Sequence, residues 1–244
     1  MNKNRKVAAY LIAMLPLLLL MGSCKPDKNP PVVAQETGTV VDIEGNSYKT
    51  VKIGNQWWMA ENLKVKKFRN GNSISDVTDD SLWQNYTAAL CLYQNDNTSP
   101  GLLYNWFAVT GSENIAPTGW HIPTDDEWKE LERFIGISNG AEDVSGWRGT
   151  NEADKLKAAS PEGWTQFENV WGTNTYGFSA LAGSCRLGDG KWGTPGLFAT
   201  GFWWTASSYS PTEAWYRYLD YKKSTVFRSS CSKNYGYSIR CVKD

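Results

Sequence analysis

Between Pro123 and Gly136 the sequence writes one complete helix, and no other stretch carries start, stripe and stop together. Thr124 and Glu127 have the spacing of a capping box, and Asp125 and Asp126 suit the positive end of a helix dipole. Trp128, Leu131 and Ile135 then fall on one face before Gly136 ends the pattern. A weaker helical stretch covers about 152–159. Before the helix, residues 39–60 read as a three-strand meander: Val40–Ile43, Tyr48–Ile53 and Gln56–Met59, parted by turn signals at Gly45-Asn46 and Gly54-Asn55. Residues 70–100 read as polar surface loops around a short segment near Leu90–Tyr93. After the helix, strands are expected at 178–182, 203–207, 214–221, 224–229 and 237–242. Residues 214–221 are aromatic-rich with a period near two, as in a strand covered on at least one face. One good helix among short antiparallel strands predicts the α+β class.

The first residues cannot belong to that fold. Lys3, Arg5 and Lys6 precede an uncharged apolar run from Val7 to Met21, interrupted by Pro16. The run is shorter than the roughly 20 residues a membrane-spanning helix needs, so it reads as a secretory signal. It ends in Leu20-Met21-Gly22-Ser23-Cys24, which is similar to the lipobox of bacterial lipoproteins and implies cleavage before Cys24 and acylation of its thiol. With about 0.8 kcal/mol per buried methylene, several acyl chains would hold the protein on a membrane, which makes a bilayer its first expected partner. The expected organisation is therefore a signal peptide at 1–23, a lipid-anchored Pro-rich linker at 24–38, and one domain at 39–244. Lys25, in place of the Asp that resembles an inner-membrane retention signal, points to the outer membrane, on its periplasmic or exposed side. Removing Lys3, Arg5 and Lys6 from 25 basic residues leaves 22 against 25 acidic. The only basic run, Lys64–Arg69, is short and mixed with Val65 and Phe68, so no nucleic-acid partner is expected.

Six motifs in order carry a family resemblance: VKIGNQWWMAENL (51–63), CLYQND (91–96), GLLYNWFAV (101–109), APTGWHIPTDDEW (116–128), YGFSALAG (176–183) and YSIRCVKD (237–244). From about residue 39 onward the chain resembles the Fibrobacter succinogenes major paralogous domain. The resemblance implies an envelope lipoprotein with a C-type-lectin-like fold. The calcium-lectin loop of that fold is not matched, since Thr194-Pro195-Gly196 carries no acidic partner and the next strand reads Trp203-Trp204-Thr205. The copper-binding cysteine pair of the formylglycine-generating oxidases is not matched either, because Gly236 stands five positions after Cys231. No metal, cofactor or catalytic residue is expected. His121, the one histidine, lies among Trp120, Ile122 and Pro123 and reads as structural.

Four cysteines follow Cys24, with 93, 45 and 9 residues between them, which matches no zinc spacing. An even number in an oxidising compartment points to two disulfides, and three pairings are open. Cys91 and Cys241 both lie in family-like motifs, and on that resemblance they pair, leaving Cys185 with Cys231.

The remaining signal is aromatic: 13 Trp and 12 Tyr. Trp57, Trp58, Trp106, Trp120, Trp128, Trp203, Trp204 and Trp215 fall in expected elements or family motifs and read as core. Trp147, Trp171 and Trp192 fall in Gly-rich loops and are candidate ligand contacts, because an aromatic face stacks on the apolar face of a sugar. The resembled fold implies a ligand face on the loop at 184–202, which adds Arg186 and Asp189. The function expected is a non-catalytic binding or adhesion module for a glycan or a surface protein. The alternatives are a structural subunit of a surface assembly such as a fimbrial tip, and an enzyme built on a lectin-like core.

Overall fold

The computed structural model describes residues 35–84, 87–95, 99–137, 140–159, 163–168, 170, 172–193 and 196–244. The expected signal peptide, Cys24 and Trp171 lie outside the described residues. In chain order the strands are β1 (Thr37–Val41), β2 (Ser47–Ile53), β3 (Gln56–Met59), β4 (Ser75–Asp76), β5 (Ala89–Cys91), β6 (Leu103–Tyr104), β7 (Trp120–His121), β8 (Gly146–Arg148), β9 (Thr200–Ser208), β10 (Glu213–Asp220), β11 (Val226–Ser232) and β12 (Val242–Lys243). The helices are α1 (Asp80–Trp83), α2 (Trp106–Thr110), α3 (Asp125–Ile135) and α4 (Glu152–Leu156). The fold is α+β and mostly strand. A five-stranded sheet runs β1-β2-β3-β12-β7, a four-stranded sheet runs β8-β11-β10-β9, and a small sheet runs β4-β5-β6.

The first sheet starts as the expected meander, with Val51 paired to Trp58 across β2 and β3. Its middle comes from the far end of the sequence: Val242 of β12 pairs with Trp58 on one side and His121 on the other. Helix α3 forms where its local signals place it. Thr124 Oγ1 accepts the Glu127 N–H at 3.2 Å, and Glu127 Oε2 accepts the Thr124 N–H at 2.7 Å. These two bonds satisfy donors that the first turn would otherwise leave unpaired. Its apolar stripe is buried through Trp128, which meets Trp58 at 5.0 Å and Phe178 at 5.7 Å between ring centroids. Rings at this separation and tilt add about 0.5–1.5 kcal/mol per pair beyond the area they bury.

Residues 178–182 do not form the expected strand, and only Ala180 bridges, to Lys157. The carbonyls of Phe178 and Ser179 accept hydrogen bonds from the buried guanidinium of Arg240 in place of a strand partner. Of the strand expected at 237–242, only Val242 enters a named strand, β12.

The expected disulfides are absent, and Cys91, Cys185, Cys231 and Cys241 are free thiols. Cys91 lies in the small cluster around Trp83 and Leu103, whereas Cys241 lies in the large cluster with Tyr48 and Tyr104. Cys185 and Cys231 belong to that same large cluster but remain unbonded. Burial pushes the thiols of Cys91 and Cys185 up to about 12, so both stay protonated and unreactive at neutral pH. Stapling across long sequence distances falls instead to arginines. Arg240 also donates to Asn62 at 2.9 Å, and Arg69 donates to the carbonyls of Ala116, Pro117 and Trp120 at 2.9 to 3.1 Å.

Candidate binding face

The four-stranded sheet has two faces of opposite chemistry, produced by the two-residue alternation of its strands. On the face toward α3, Arg148 of β8, Arg217 of β10 and Arg228 of β11 converge on Asp125 and Glu132 of the helix. All five residues are buried. Arg148 grips Glu132 with two nitrogens, both at 2.8 Å. Arg217 donates through Nε to Glu132 at 2.6 Å and through Nη1 to Asp125 at 2.8 Å. Arg228 reaches both oxygens of Asp125 at 2.9 and 2.6 Å. Burial alone would raise the Asp125 pKa, but the guanidiniums of Arg228 and Arg217 outweigh it and hold the carboxyl well below its ordinary value. Asp125 therefore does more than complement the helix dipole.

The other face carries rings. The register sets Trp147 of β8 opposite Phe227 of β11, Phe227 opposite Tyr218 of β10, and Tyr218 opposite Phe202 of β9. Each strand thus contributes one aromatic to a row spanning about 14 Å at the usual strand spacing, and Phe202 at its end also stacks on the buried Tyr237 at 5.0 Å. Trp147 lies 5.0 Å from Phe227 and 5.2 Å from Tyr218, and Phe202 stacks on Tyr218 at 4.5 Å with planes 9° apart. Trp147 is 40 % exposed, and the other three are half-buried. Polar groups flank the row. Tyr218 donates its hydroxyl to Asp220, and Lys223 lies 6.0 Å from the Trp147 ring. Burial, with Asp220 adding to it, pushes the Tyr218 phenol far up, so it remains a donor at any physiological pH.

The loop residues expected to bind ligand divide. Arg186 is fully buried: it sits 4.5 Å from the Trp83 ring and 4.8 Å from the Trp192 ring. Its guanidinium donates to the carbonyls of Val77, Thr78 and Gly190. It therefore leaves the candidate set, because no ligand can reach it. Trp192 folds back, edge-on to Tyr93 at 5.3 Å and half-buried. Asp189 is exposed and accepts the Lys191 N–H at 3.1 Å, a turn contact. Trp147 is open to solvent, but on a strand rather than in a loop. Phe202, Tyr218 and Phe227 were not singled out from sequence; the period-two aromatics of 214–221 hinted at Tyr218 alone.

His121 is half-exposed and sits between carboxylates, with Nδ1 2.7 Å from Asp244 and Nε2 2.7 Å from Glu127. Burial lowers its pKa, but hydrogen bonds from the protonated ring to Asp244 and Glu127 win and the net shift is upward. Among the described residues no group of three or more His, Cys, Asp or Glu side chains could hold a metal ion.

No curated protein and no solved structure matches the chain. A family model does match residues 51–243, which takes in α3, the arginine network and the whole aromatic row. The chain belongs to the Fibrobacter succinogenes major domain family.

Proposed function

We propose that this domain is a non-catalytic binding module of the cell envelope, held on the outer membrane through acylated Cys24, and that its aromatic row takes glycans. The observation that carries the reading is the row itself: four rings in register across four strands, with Trp147 open at one end. Sugar rings are apolar on their faces and polar at their edges, so a ring platform beside Asp220 and Lys223 offers stacking and hydroxyl recognition together. The rigid sheet supports it, since a contact surface built on strands loses little entropy when it binds. The motif resemblance adds a C-type-lectin-like reading of the fold.

A glycan array probed with residues 35–244, followed by titration calorimetry on each hit, tests the proposal. Trp147→Ala should weaken binding by about 1–3 kcal/mol, the scale of a stacking anchor. Its melting temperature should stay near that of the parent. A hit whose affinity is untouched by Trp147→Ala would remove the row from the function.

A further inference from the structure

Among the described residues only two strands of five residues or more stand at a sheet edge, β1 and β9. The outer side of β9 is closed by other segments. Trp204 and Ala206 donate their N–H groups to the carbonyls of Ser238 and Pro123, and the carbonyls of Thr200 and Phe202 accept from Ser184 and Ser238. At the far edge of the five-stranded sheet, β7 is two residues long and its Trp120 carbonyl accepts from Arg69. β1 has no such cover.

The ladder shows which of its groups face outward. Lys52 donates its N–H to the Glu36 carbonyl at 2.9 Å, and Asp42 donates to the Asn46 carbonyl at 3.0 Å. In the β1–β2 register these are the pairs at either end of the strand, and both are hydrogen-bonded. Bonding alternates along an antiparallel ladder, so Gly38 and Val40 bond to β2, while Thr37, Thr39 and Val41 turn N–H and carbonyl to the open side. Among the described residues no hydrogen bond from another segment reaches these six groups. Sheet edges are ordinarily blunted by charge, proline or a bulge. β1 reads Thr-Gly-Thr-Val-Val, pairs with β2 without a register shift, and leaves Val41 55 % exposed.

We propose that β1 pairs antiparallel with β1 of a second copy, on a two-fold axis through Thr39, so that two five-stranded sheets become one. The strand is its own complement. Thr39 meets Thr39 and Thr37 meets Val41, which satisfies all six outward groups and makes only uncharged, β-branched cross-strand pairs. The flanking charges do not oppose it. Glu36 would face Asp42, but Glu36 is paired with Lys52, and Asp42 is buried with its oxygens taken by Asn46, Glu44 and Tyr48. Five residues a side fall short of the roughly 20–30 of a stable interface, so the pairing needs a high local concentration. The lipid anchor proposed above supplies one, by confining the copies to one surface. The pairing uses no residue of the aromatic row and does not depend on the glycan reading.

Cysteine cross-linking of the full chain in the membranes of expressing cells tests it, read as dimer on a non-reducing gel after mild oxidation. Cys91, Cys185 and Cys241 are buried, so an introduced thiol on β1 is the exposed one. Thr39→Cys should give a dimer, because facing Cα atoms in such a pair lie about 5.5 Å apart, within disulfide reach. Thr37→Cys alone should not, since four residues along the strands put its copies about 14 Å apart. Thr37→Cys with Val41→Cys should cross-link again, and adding Thr39→Pro, which deletes an outward donor that β2 does not use, should cut that dimer about tenfold or more. A Thr39→Cys chain that stays monomeric overturns the proposal, even where an added peptide binds the β1 edge. So does equal cross-linking through Thr37→Cys and Thr39→Cys, or a double-cysteine dimer that Thr39→Pro leaves unchanged.

Discussion

On the face of the four-stranded sheet that meets α3, the central strands present arginines gripped by carboxylates. On the opposite face of the same strands, the neighbouring positions present aromatic rings. The two faces are one residue apart along each strand and share one backbone, yet they are held by different physics. The inner face is directional: three buried guanidiniums meet two buried carboxylates in one geometry, and only the Nε of Arg148 is left without a partner among their nitrogens. The outer face is tolerant, since stacked rings lose little when one slides or tilts. A ligand bound on the outer face, as proposed, would leave undisturbed the positions of the strands, which the inner face fixes.

The comparison breaks most sharply at Glu132. Glu132→Ala would leave Arg148 and Arg217 buried without their shared carboxylate, and the expected loss is about 3–5 kcal/mol in urea unfolding. Tyr218→Phe on the outer face removes one hydroxyl contact and should lose only about 0.5–1.5 kcal/mol. Similar losses for the two would abolish the distinction between the faces.

Of the two faces, acid probes the inner one through Asp125. Because the folded pKa of Asp125 is depressed, its ion pairs contribute stability above the unfolded value of about 3.9, and that contribution is lost as pH falls below it. The parent should lose stability steeply between pH 5 and pH 2, by about 1–3 kcal/mol more than Asp125→Asn. Parallel curves for the two proteins would show that acid acts elsewhere.

The smallest effect lies at the end of α3, where His121 holds Glu127. Its folded pKa is raised, so its contribution is fully present below about 6.5 and fades as pH rises through the higher folded value. Both of its ion pairs face solvent, which keeps the effect small. The melting temperature of the parent should fall between pH 5.5 and 8.5 by more than that of His121→Gln, and equal changes would assign the dependence to another group.

What the sequence discloses follows from how far apart the partners lie. The α3 cap was legible because Thr124 and Glu127 are three residues apart and their chemistry is complete within one turn. The meander was legible for the same reason. The arginine network was not: Arg217 and Arg228 meet Asp125 from 92 and 103 residues away. Asp125 already had a sufficient local explanation in the helix dipole, which concealed its second role. The aromatic row depends on the register of four strands, so alternation in 214–221 could show that a strand was half-covered but not which rings would align. Trp192 beside Asp-Gly-Lys looked like an exposed plate, yet Arg186 draws it onto the Trp83 cluster. For the cysteines, parity and compartment argued for bridges, but burial of separate thiols satisfies the same positions without one.

The position of β12 has a kinetic consequence. Val242 fills the gap between β3 and β7, so the five-stranded sheet stays split until residues 242–243 arrive. Contacts that join residue 58 to residue 242 carry a large loop-closure entropy, and chains rich in such pairings fold slowly. A chain that emerges amino-end first would spend its transit with the Trp58 edge unpaired, and would commit to its final shape only when the last strand docks.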